Sequence, residues 1–235
     1  MDQAIIFDVD GTLSETEETH RKAFNRAFLS AGLAWNWDQD LYRRLLGVTG
    51  GKERIRYFLA NHDVGGVPAN QVDKFIRSIH ADKTAIYTGM VANGEVSLRP
   101  GIRELIIDAK TNGFRLAIAT TTTPANIDAL LSVTLGIEGR DLFEVICAGD
   151  SVVNKKPAPD VYLLALEQLN LPPENCIALE DSRNGLLAAH AAGIATVVTP
   201  GIYTDTQQFD EAALVIEDLR VSDFPKIYGL LAASC

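Results

Sequence analysis

Two hydrophobic periodicities alternate along this chain of 235 residues, and together they predict an α/β fold. Short apolar runs that are typical of buried parallel strands occupy residues 4–9, 114–119, 143–147, 176–179 and 195–198. Apolar residues recur at helical spacing near residues 102–112, 125–135, 159–169 and 183–192. This alternation predicts a doubly wound parallel sheet that is covered by helices on both faces, with the active site at the carboxyl ends of the strands.

The first strand is followed by some eighty residues of helical pattern rather than by a crossover helix and a second strand. Helices are predicted at residues 17–31, 37–46, 52–61 and 69–92. The breaks between them are Gly32, the pair Gly50-Gly51 and the segment Gly65-Gly66-Val67-Pro68. We therefore expect two domains, an α/β core of residues 1–14 and 94–235 and an inserted helical cap of residues 15–93.

Two carboxylates stand at the exit of the first strand, in the segment Asp8-Val9-Asp10-Gly11-Thr12. Residues two apart on an extended backbone point to the same side, and Gly11 allows the chain to turn sharply. One carboxylate can then act as a nucleophile while the other moves protons, which is the pattern of phosphoryl transfer through an aspartyl phosphate. An Asx turn at a strand end is the structural alternative.

Three later strand ends carry further polar groups. Thr120, Thr121 and Thr122 precede a helix that Pro124 can start, where their hydroxyls and backbone N–H groups are candidates to bind phosphate oxygens. The segment 155–160 brings Lys156 to the third strand end as a candidate phosphate ligand, and Glu180-Asp181 follows the fourth strand. Turn residues, a solvated lysine pair and a helix N-cap are the respective structural alternatives.

A divalent cation fits this combination of acids. Mg²⁺ prefers oxygen ligands in octahedral geometry and often shares them with a substrate phosphate. The predicted ligands are Asp8, Asp10 through its backbone carbonyl, and Asp181, with Glu180 nearby or in support. Lys156 and the metal would together neutralise the charge that faces an anionic nucleophile.

The composition of the chain limits the classes of molecule that the protein is expected to bind and the compartment in which it is expected to lie. The formal net charge of −10 argues against nucleic acid as a partner, because binding to a phosphate backbone needs clustered Lys and Arg. The sequence contains no apolar run long enough for a membrane span and begins with a strand rather than a signal segment. Cys147, Cys176 and Cys235 lack metal-ligand spacing. We expect a cytoplasmic protein with reduced thiols.

With these motifs the chain resembles the haloacid dehalogenase superfamily of phosphohydrolases, whose core is Rossmann-like. The four motifs occur in order: the DxDGT segment at Asp8, the threonine at Thr120, Lys156, and the acidic pair at Glu180-Asp181. The resemblance implies that Asp8 is the nucleophile and Asp10 the general acid and base. It also implies that Thr120 and Lys156 hold the phosphoryl group, with Mg²⁺ between Asp8, Asp10 and Asp181.

The helical segment resembles the cap of CbbY-type sugar phosphatases, a group that includes xylulose-1,5-bisphosphate phosphatases. That resemblance implies a small-molecule sugar phosphate as the partner. It also implies that the substrate-binding residues are Glu17, His20, Gly50, Gly51, Lys52 and Lys83. Gly50-Gly51-Lys52 can bind a second phosphate, because a glycine pair that opens a helix exposes backbone N–H groups to an anion. A plain interhelical loop is the structural alternative.

Two other functions stay open at this stage. Phosphomutases of the β-phosphoglucomutase type share the core motifs, but they carry a serine-arginine pair where this chain has Gly50-Gly51-Lys52. A catalytically idle relative would be expected to lack Asp8, Asp10 or Lys156, and all three are present. The sequence therefore favours a Mg²⁺-dependent sugar phosphatase, which we expect to be a monomer.

Overall fold

A six-stranded sheet forms the centre of the computed structural model, which describes residues 2–62 and 69–232. Its strands are β1 (Ala4–Phe7), β2 (Arg115–Ala119), β3 (Val145–Cys147), β4 (Cys176–Glu180), β5 (Ala195–Val198) and β6 (Leu214–Val215). They lie in the order β3-β2-β1-β4-β5-β6, and every neighbouring pair is parallel. Because the chain runs outwards from β1 in both directions, the predicted doubly wound sheet is confirmed, and a crevice opens at the carboxyl end of β1.

The helices surround this sheet and fill the segment after its first strand. They are α1 (Glu17–Ser30), α2 (Gln39–Leu45), α3 (Gly51–Asn61), α4 (Val72–Ala92), α5 (Ile102–Thr111), α6 (Pro124–Leu135), α7 (Asp160–Leu169), α8 (Arg183–Ala191) and α9 (Phe224–Ala232). In the described part of the chain, none of them has the combination of length and apolar character that a membrane span requires.

Alternation along β1 divides the core of the sheet into two layers. Ile5 and Phe7 pack with α5, α6 and α9, whereas Ala4 and Ile6 pack with α7 and α8. Each of these four side chains is fully buried. The uninterrupted apolar run of β1 thus reflects a strand that is covered on both faces, as parallel strands usually are.

A third hydrophobic cluster lies among α1 to α4, the part of the chain that we call the helical insertion (residues 15–93). Phe24, Trp37, Tyr42 and Phe58 contribute its buried aromatic rings, and Tyr203 joins them from the loop after β5. The insertion therefore has an apolar core of its own, made largely of residues that are close in sequence.

Several predicted boundaries differ from the structure. The first strand ends at Phe7 rather than at residue 9, and the helix predicted from residue 37 begins at Gln39 because the Asp38 side chain accepts a hydrogen bond from Leu41 N at 2.7 Å. The helix predicted over 69–92 opens with a 3₁₀ turn before α4. The predicted break at residues 65–68 lies outside the described residues, as does Cys235; Cys147 and Cys176 are buried free thiols.

The last strand and the last helix were not predicted. β6 contains only two residues and lies at the sheet edge beside β5, so it is too short to show an alternating pattern. α9 has Pro225 in its first turn, where proline is compatible with a helix start. A sequence signal for α9 therefore existed, whereas none existed for β6.

Close packing of α8 against the sheet leads to a prediction about stability. Ala189 is fully buried in the layer formed with α7, so Ala189→Leu should lower the free energy of unfolding by about 1–3 kcal/mol through overpacking. Ala191→Leu places the same side chain at an exposed position of the same helix and serves as the control. Urea denaturation measures both, and equal midpoints for the two variants would contradict the packing.

Candidate active site

The carboxyl end of β1 delivers the two acids of the first motif into one cavity. Asp8 continues the sheet by donating its N–H to Leu179 O at 3.0 Å, and its carboxylate is buried. Gly11 follows with a positive φ of 86°, and a Cβ at this position would overlap the Asp181 carboxylate. The glycine thus permits both the turn and the close approach of a third acid.

Lys156 lies at the centre of the buried charges. Its Nζ donates to Asp8 Oδ1 at 2.7 Å, to Glu180 Oε1 at 2.6 Å and to the carbonyl of Ala119 at 2.9 Å. Burial alone would lower the pKa of Lys156, but Asp8 and Glu180 outweigh that effect and hold it above its ordinary value. The lysine is therefore a permanent cation beside Asp8.

Asp8, Glu180 and Asp181 form a buried acidic cluster that can hold a metal ion. One oxygen from each residue lies within 4.8 Å of the others. Lys156 pairs with the first two, whereas Asp181 has no cationic partner among the described residues and accepts a hydrogen bond from Thr204 Oγ1 at 3.3 Å. Burial, with the charges of Asp8 and Glu180 added, raises the pKa of Asp181 well above its usual range. A bound cation would remove this repulsion.

The Asp10 side chain does not belong to that cluster. Asp10 Oδ1 lies 2.9 Å from His20 Nε2 and accepts a hydrogen bond from Thr16 Oγ1 at 2.6 Å. Burial would raise the pKa of Asp10, but His20 and Thr16 reverse that effect and lower it below its ordinary value. The sequence assigned a backbone carbonyl of Asp10 to the metal, and this assignment stays a prediction.

Lys83 extends this contact into the helical insertion. Its Nζ lies 2.6 Å from His20 Nδ1 and sits over the rings of Phe24 and Tyr87, while the His20 ring stacks on Tyr87 at 3.9 Å. Burial lowers the pKa of His20, and it lowers the pKa of Lys83 to about 8. Because an ionised Asp10 only accepts hydrogen bonds, Nε2 carries the imidazole proton and Nδ1 accepts from Lys83.

The threonines after β2 line the same cavity. Thr120 and Thr122 are buried, Thr120 Oγ1 accepts from Thr122 N at 3.4 Å, and Asn126 Nδ2 donates to Thr122 Oγ1 at 2.9 Å. Thr121 also lines the cavity, and α6 begins at Pro124 just beyond it. The predicted placement of hydroxyls and a helix start beside Asp8 is therefore present.

The remaining predicted cap residues separate into two groups. Glu17, Gly50 and Gly51 line the cavity together with His20 and Lys83. Lys52 does not line it: its Nζ is 3.2 Å from Asp150 Oδ1 on a side chain that remains partly in solvent. Lys52 is therefore paired with Asp150 in this structure, and its predicted contact with substrate stays a prediction.

Several residues that line the cavity were not among the predicted ligands. They include Phe24, Arg54, His80, Asn126, Asn184, Thr204 and Gln207. Arg54 had the clearest available signal, because it follows Gly51 by three residues on the same helix, where side chains share one face. Asn184, in the first turn of α8, and the loop residues Thr204 and Gln207 carry no comparable signal.

The cavity has a volume of about 400 Å³, which suits a small molecule. One wall carries Asp8, Thr120, Lys156 and Asp181 from the strand ends, and the opposite wall carries helical residues that include Arg54 and Lys83. A parallel α/β sheet with a nucleophile candidate, a fixed cation and an acidic cluster at its carboxyl edge defines a hydrolase of the aspartate-nucleophile class.

The chain belongs to the haloacid dehalogenase-like hydrolase family, whose model matches residues 3–193. Protein CbbY of Rhodobacter capsulatus is 53% identical over 220 residues, which cover 94% of this chain and 95% of that protein. The crystal structure of a CbbY mutant from Rhodobacter sphaeroides in complex with xylulose-(1,5)bisphosphate is 49% identical with a TM-score of 0.88, over 93% of this chain and 95% of that chain.

A third similar structure is a putative β-phosphoglucomutase from Thermotoga maritima. It is 28% identical with a TM-score of 0.68, and the match covers 97% of this chain and 99% of that chain. Both the predicted superfamily and the predicted CbbY-like subgroup are thus confirmed.

Proposed function

We propose that this protein is a Mg²⁺-dependent phosphatase of small sugar phosphates, and in particular of a sugar bisphosphate such as xylulose 1,5-bisphosphate. The observation that carries the proposal is the two-sided cavity. Asp8 and Lys156 form one end of it, while Arg54 and Lys83 supply positive charge from the helical insertion. In a molecule with two phosphates, one phosphate would bind beside Asp8 and Lys156 and the other beside Arg54 and Lys83.

The similarity to CbbY supports the choice of substrate. The Rhodobacter sphaeroides protein, whose structure is in complex with xylulose-(1,5)bisphosphate, matches this chain over nearly its full length at 49% identity. Support for a phosphomutase is weaker, because the β-phosphoglucomutase-like match has 28% identity. An idle binding protein is disfavoured because Asp8, Asp10 and Lys156 all retain their contacts in one cavity.

In the proposed reaction, Asp8 attacks the phosphorus atom and the bond from phosphorus to the sugar oxygen breaks. Lys156 and the Thr120 hydroxyl hold the phosphoryl oxygens. Asp10 protonates the departing alkoxide, and its proton comes by relay: the Lys83 ammonium gives a proton to His20 Nδ1 while His20 Nε2, 2.9 Å from Asp10 Oδ1, passes its own proton to Asp10. Asp10 then removes a proton from the water that hydrolyses the aspartyl phosphate.

The acidic cluster fits Mg²⁺ because every candidate side-chain donor is a carboxylate oxygen and Asp181 has no cationic partner among the described residues. Asp8 and Asp181 would hold the ion, with the Asp10 carbonyl as the further ligand and Glu180 in support. When bound, the ion supplies positive charge that offsets repulsion between an anionic nucleophile and an anionic phosphate.

We assign residues 15–93 to a cap and residues 1–14 and 94–235 to the core. Three contacts across this division support the assignment: Arg43 Nη1 to Asp205 Oδ1 at 2.8 Å, Asn184 Nδ2 to Thr49 Oγ1 at 3.0 Å, and Lys52 to Asp150. Such a cap would admit small molecules, exclude macromolecules such as nucleic acids, and keep competing water out. The monomeric state and the cytoplasmic location stay predictions.

Release of inorganic phosphate tests the proposal. The assay compares xylulose 1,5-bisphosphate with β-glucose 1-phosphate and with pentose and hexose monophosphates in the presence of Mg²⁺, and excess EDTA removes the metal in a parallel series. We expect stoichiometric phosphate, a higher kcat/KM for the bisphosphate, and loss of activity in EDTA. Conversion of β-glucose 1-phosphate to glucose 6-phosphate without free phosphate would overturn the proposal in favour of a mutase.

A further inference from the structure

Tyr42 connects two residues of the helical wall of the cavity without lining the cavity itself. Its hydroxyl donates to Glu17 Oε2 at 2.8 Å and accepts from Arg54 Nη1 at 3.0 Å. Glu17 and Arg54 both line the cavity, whereas Tyr42 is fully buried behind them. One phenol group thus joins an acid on α1 to a cation on α3.

The position of this hydroxyl is fixed by its ring. Tyr42 packs within the aromatic cluster of the helical insertion, with ring centroids 6.1 Å from Trp37 and 5.6 Å from Tyr203. Burial raises the pKa of Tyr42 well above 10, and the charge of Glu17 adds to that rise. The group therefore remains a phenol that can donate one hydrogen bond and accept others.

Arg54 is held at two points and retains free donors. Its Nε donates to the carbonyl of Leu45 at 3.2 Å, and its Cζ lies 5.2 Å from the centre of the Tyr42 ring. Among the described residues, its Nη2 has no hydrogen-bond acceptor. A buried guanidinium with unused N–H groups at a cavity wall is a suitable partner for a phosphate, whose oxygens it can bind in pairs.

We infer that Tyr42 is a positioning residue that holds the Arg54 guanidinium and the Glu17 carboxylate in fixed relation for the distal part of the substrate. The inference rests on the proposed function, in which Arg54 supplies positive charge for the second phosphate, and on the prediction that Glu17 binds substrate. Side chains that are ordered before binding lose less freedom when the ligand arrives. The hydroxyl of Tyr42 therefore contributes to affinity although it never contacts substrate.

Tyr42→Phe tests the inference, because it keeps the packed ring and removes only the hydroxyl. We expect KM for xylulose 1,5-bisphosphate to rise about tenfold, as for the loss of a hydrogen bond to a charged group, with kcat changed less than about twofold. KM for a sugar monophosphate should rise much less. In an Arg54→Lys background the substitution should add little, because Tyr42 acts through Arg54.

Tyr203→Phe is the matched control. It also removes a tyrosine hydroxyl that is bonded to a glutamate on α1, in this case Glu18, and neither residue lines the cavity. The KM of this control for xylulose 1,5-bisphosphate should stay within about twofold of the KM of the unmodified protein. An unchanged KM for Tyr42→Phe, or an equal rise for both variants, would refute a positioning role.

A crystal structure of the Tyr42→Phe variant judges the inference even if the unmodified protein releases no phosphate from any sugar phosphate. That kinetic failure would overturn the proposed function alone. In the variant, the Arg54 guanidinium and the Glu17 carboxylate should move or occupy several rotamers. If both groups keep their original positions, Tyr42 does not position them.

Discussion

Asp8→Asn should abolish turnover, with a loss in kcat of at least about 10⁴-fold, as expected when a catalytic nucleophile is removed. An amide has no anionic oxygen with which to attack phosphorus, so no aspartyl phosphate can form. The measurement is phosphate release from xylulose 1,5-bisphosphate under single-turnover and steady-state conditions. Residual activity above about 1% would show that another group is the nucleophile.

The variant should remain folded and able to bind substrate. Asparagine has nearly the same size as aspartate, and Lys156 keeps its contacts with Glu180 and the Ala119 carbonyl. Burial raises the pKa of Asp8, so a neutral side chain there avoids part of the cost of a buried charge. Substrate should therefore still raise the melting temperature. Asp150→Asn removes an exposed carboxylate outside the cavity and is the control.

Lys156→Met should damage both stability and activity. The side chain is 4% exposed, and its loss would leave Asp8 and Glu180 as buried like charges without a cation. Removing one partner of such a buried group costs roughly 3–5 kcal/mol in the free energy of unfolding. We also expect kcat to fall by at least about 10³-fold, because the fixed positive charge of Lys156, which would bind the phosphoryl oxygens, is lost.

Urea denaturation in EDTA measures this effect without compensation by bound metal. Lys155→Met is the matched control, since Lys155 is half-buried and donates only to the carbonyl of Val152 at 3.0 Å. A second substitution, Glu180→Gln, should restore part of the stability of Lys156→Met because it removes one of the two uncompensated charges. A stability of Lys156→Met equal to that of the Lys155→Met control would contradict the charge arrangement described here.

The strand-end chemistry could be predicted because it depends on local sequence and one topological rule. Asp8 lies at the end of a predicted strand and Thr120, Lys156 and Glu180 each follow a later one, and the carboxyl ends of parallel strands meet at one edge of a sheet. Their assembly at this edge needed no knowledge of side-chain positions. The rule agrees with the structure, in which Lys156 Nζ lies 2.7 Å from Asp8 Oδ1 and 2.6 Å from Glu180 Oε1.

The helical wall of the cavity could be predicted only in part. Glycines and a basic residue at the start of a helix indicated an anion site, and Gly50 and Gly51 do line the cavity. The sequence could not decide which basic side chain points inward, because Lys52 and Arg54 lie on different sides of α3 and only packing orients the helix. Lys52 contacts Asp150, and Arg54 faces the cavity.

The sequence by itself determined the parallel α/β core, the acids and the lysine at its strand ends, and the presence of a helical insertion, since all of these arise from periodicity and from motifs at element boundaries. Only the tertiary structure decided that His20 meets Asp10 and Lys83, and that Tyr42 joins Glu17 to Arg54. Those contacts connect separate elements, so they depend on how the helices pack and not on the spacing of residues along any one of them.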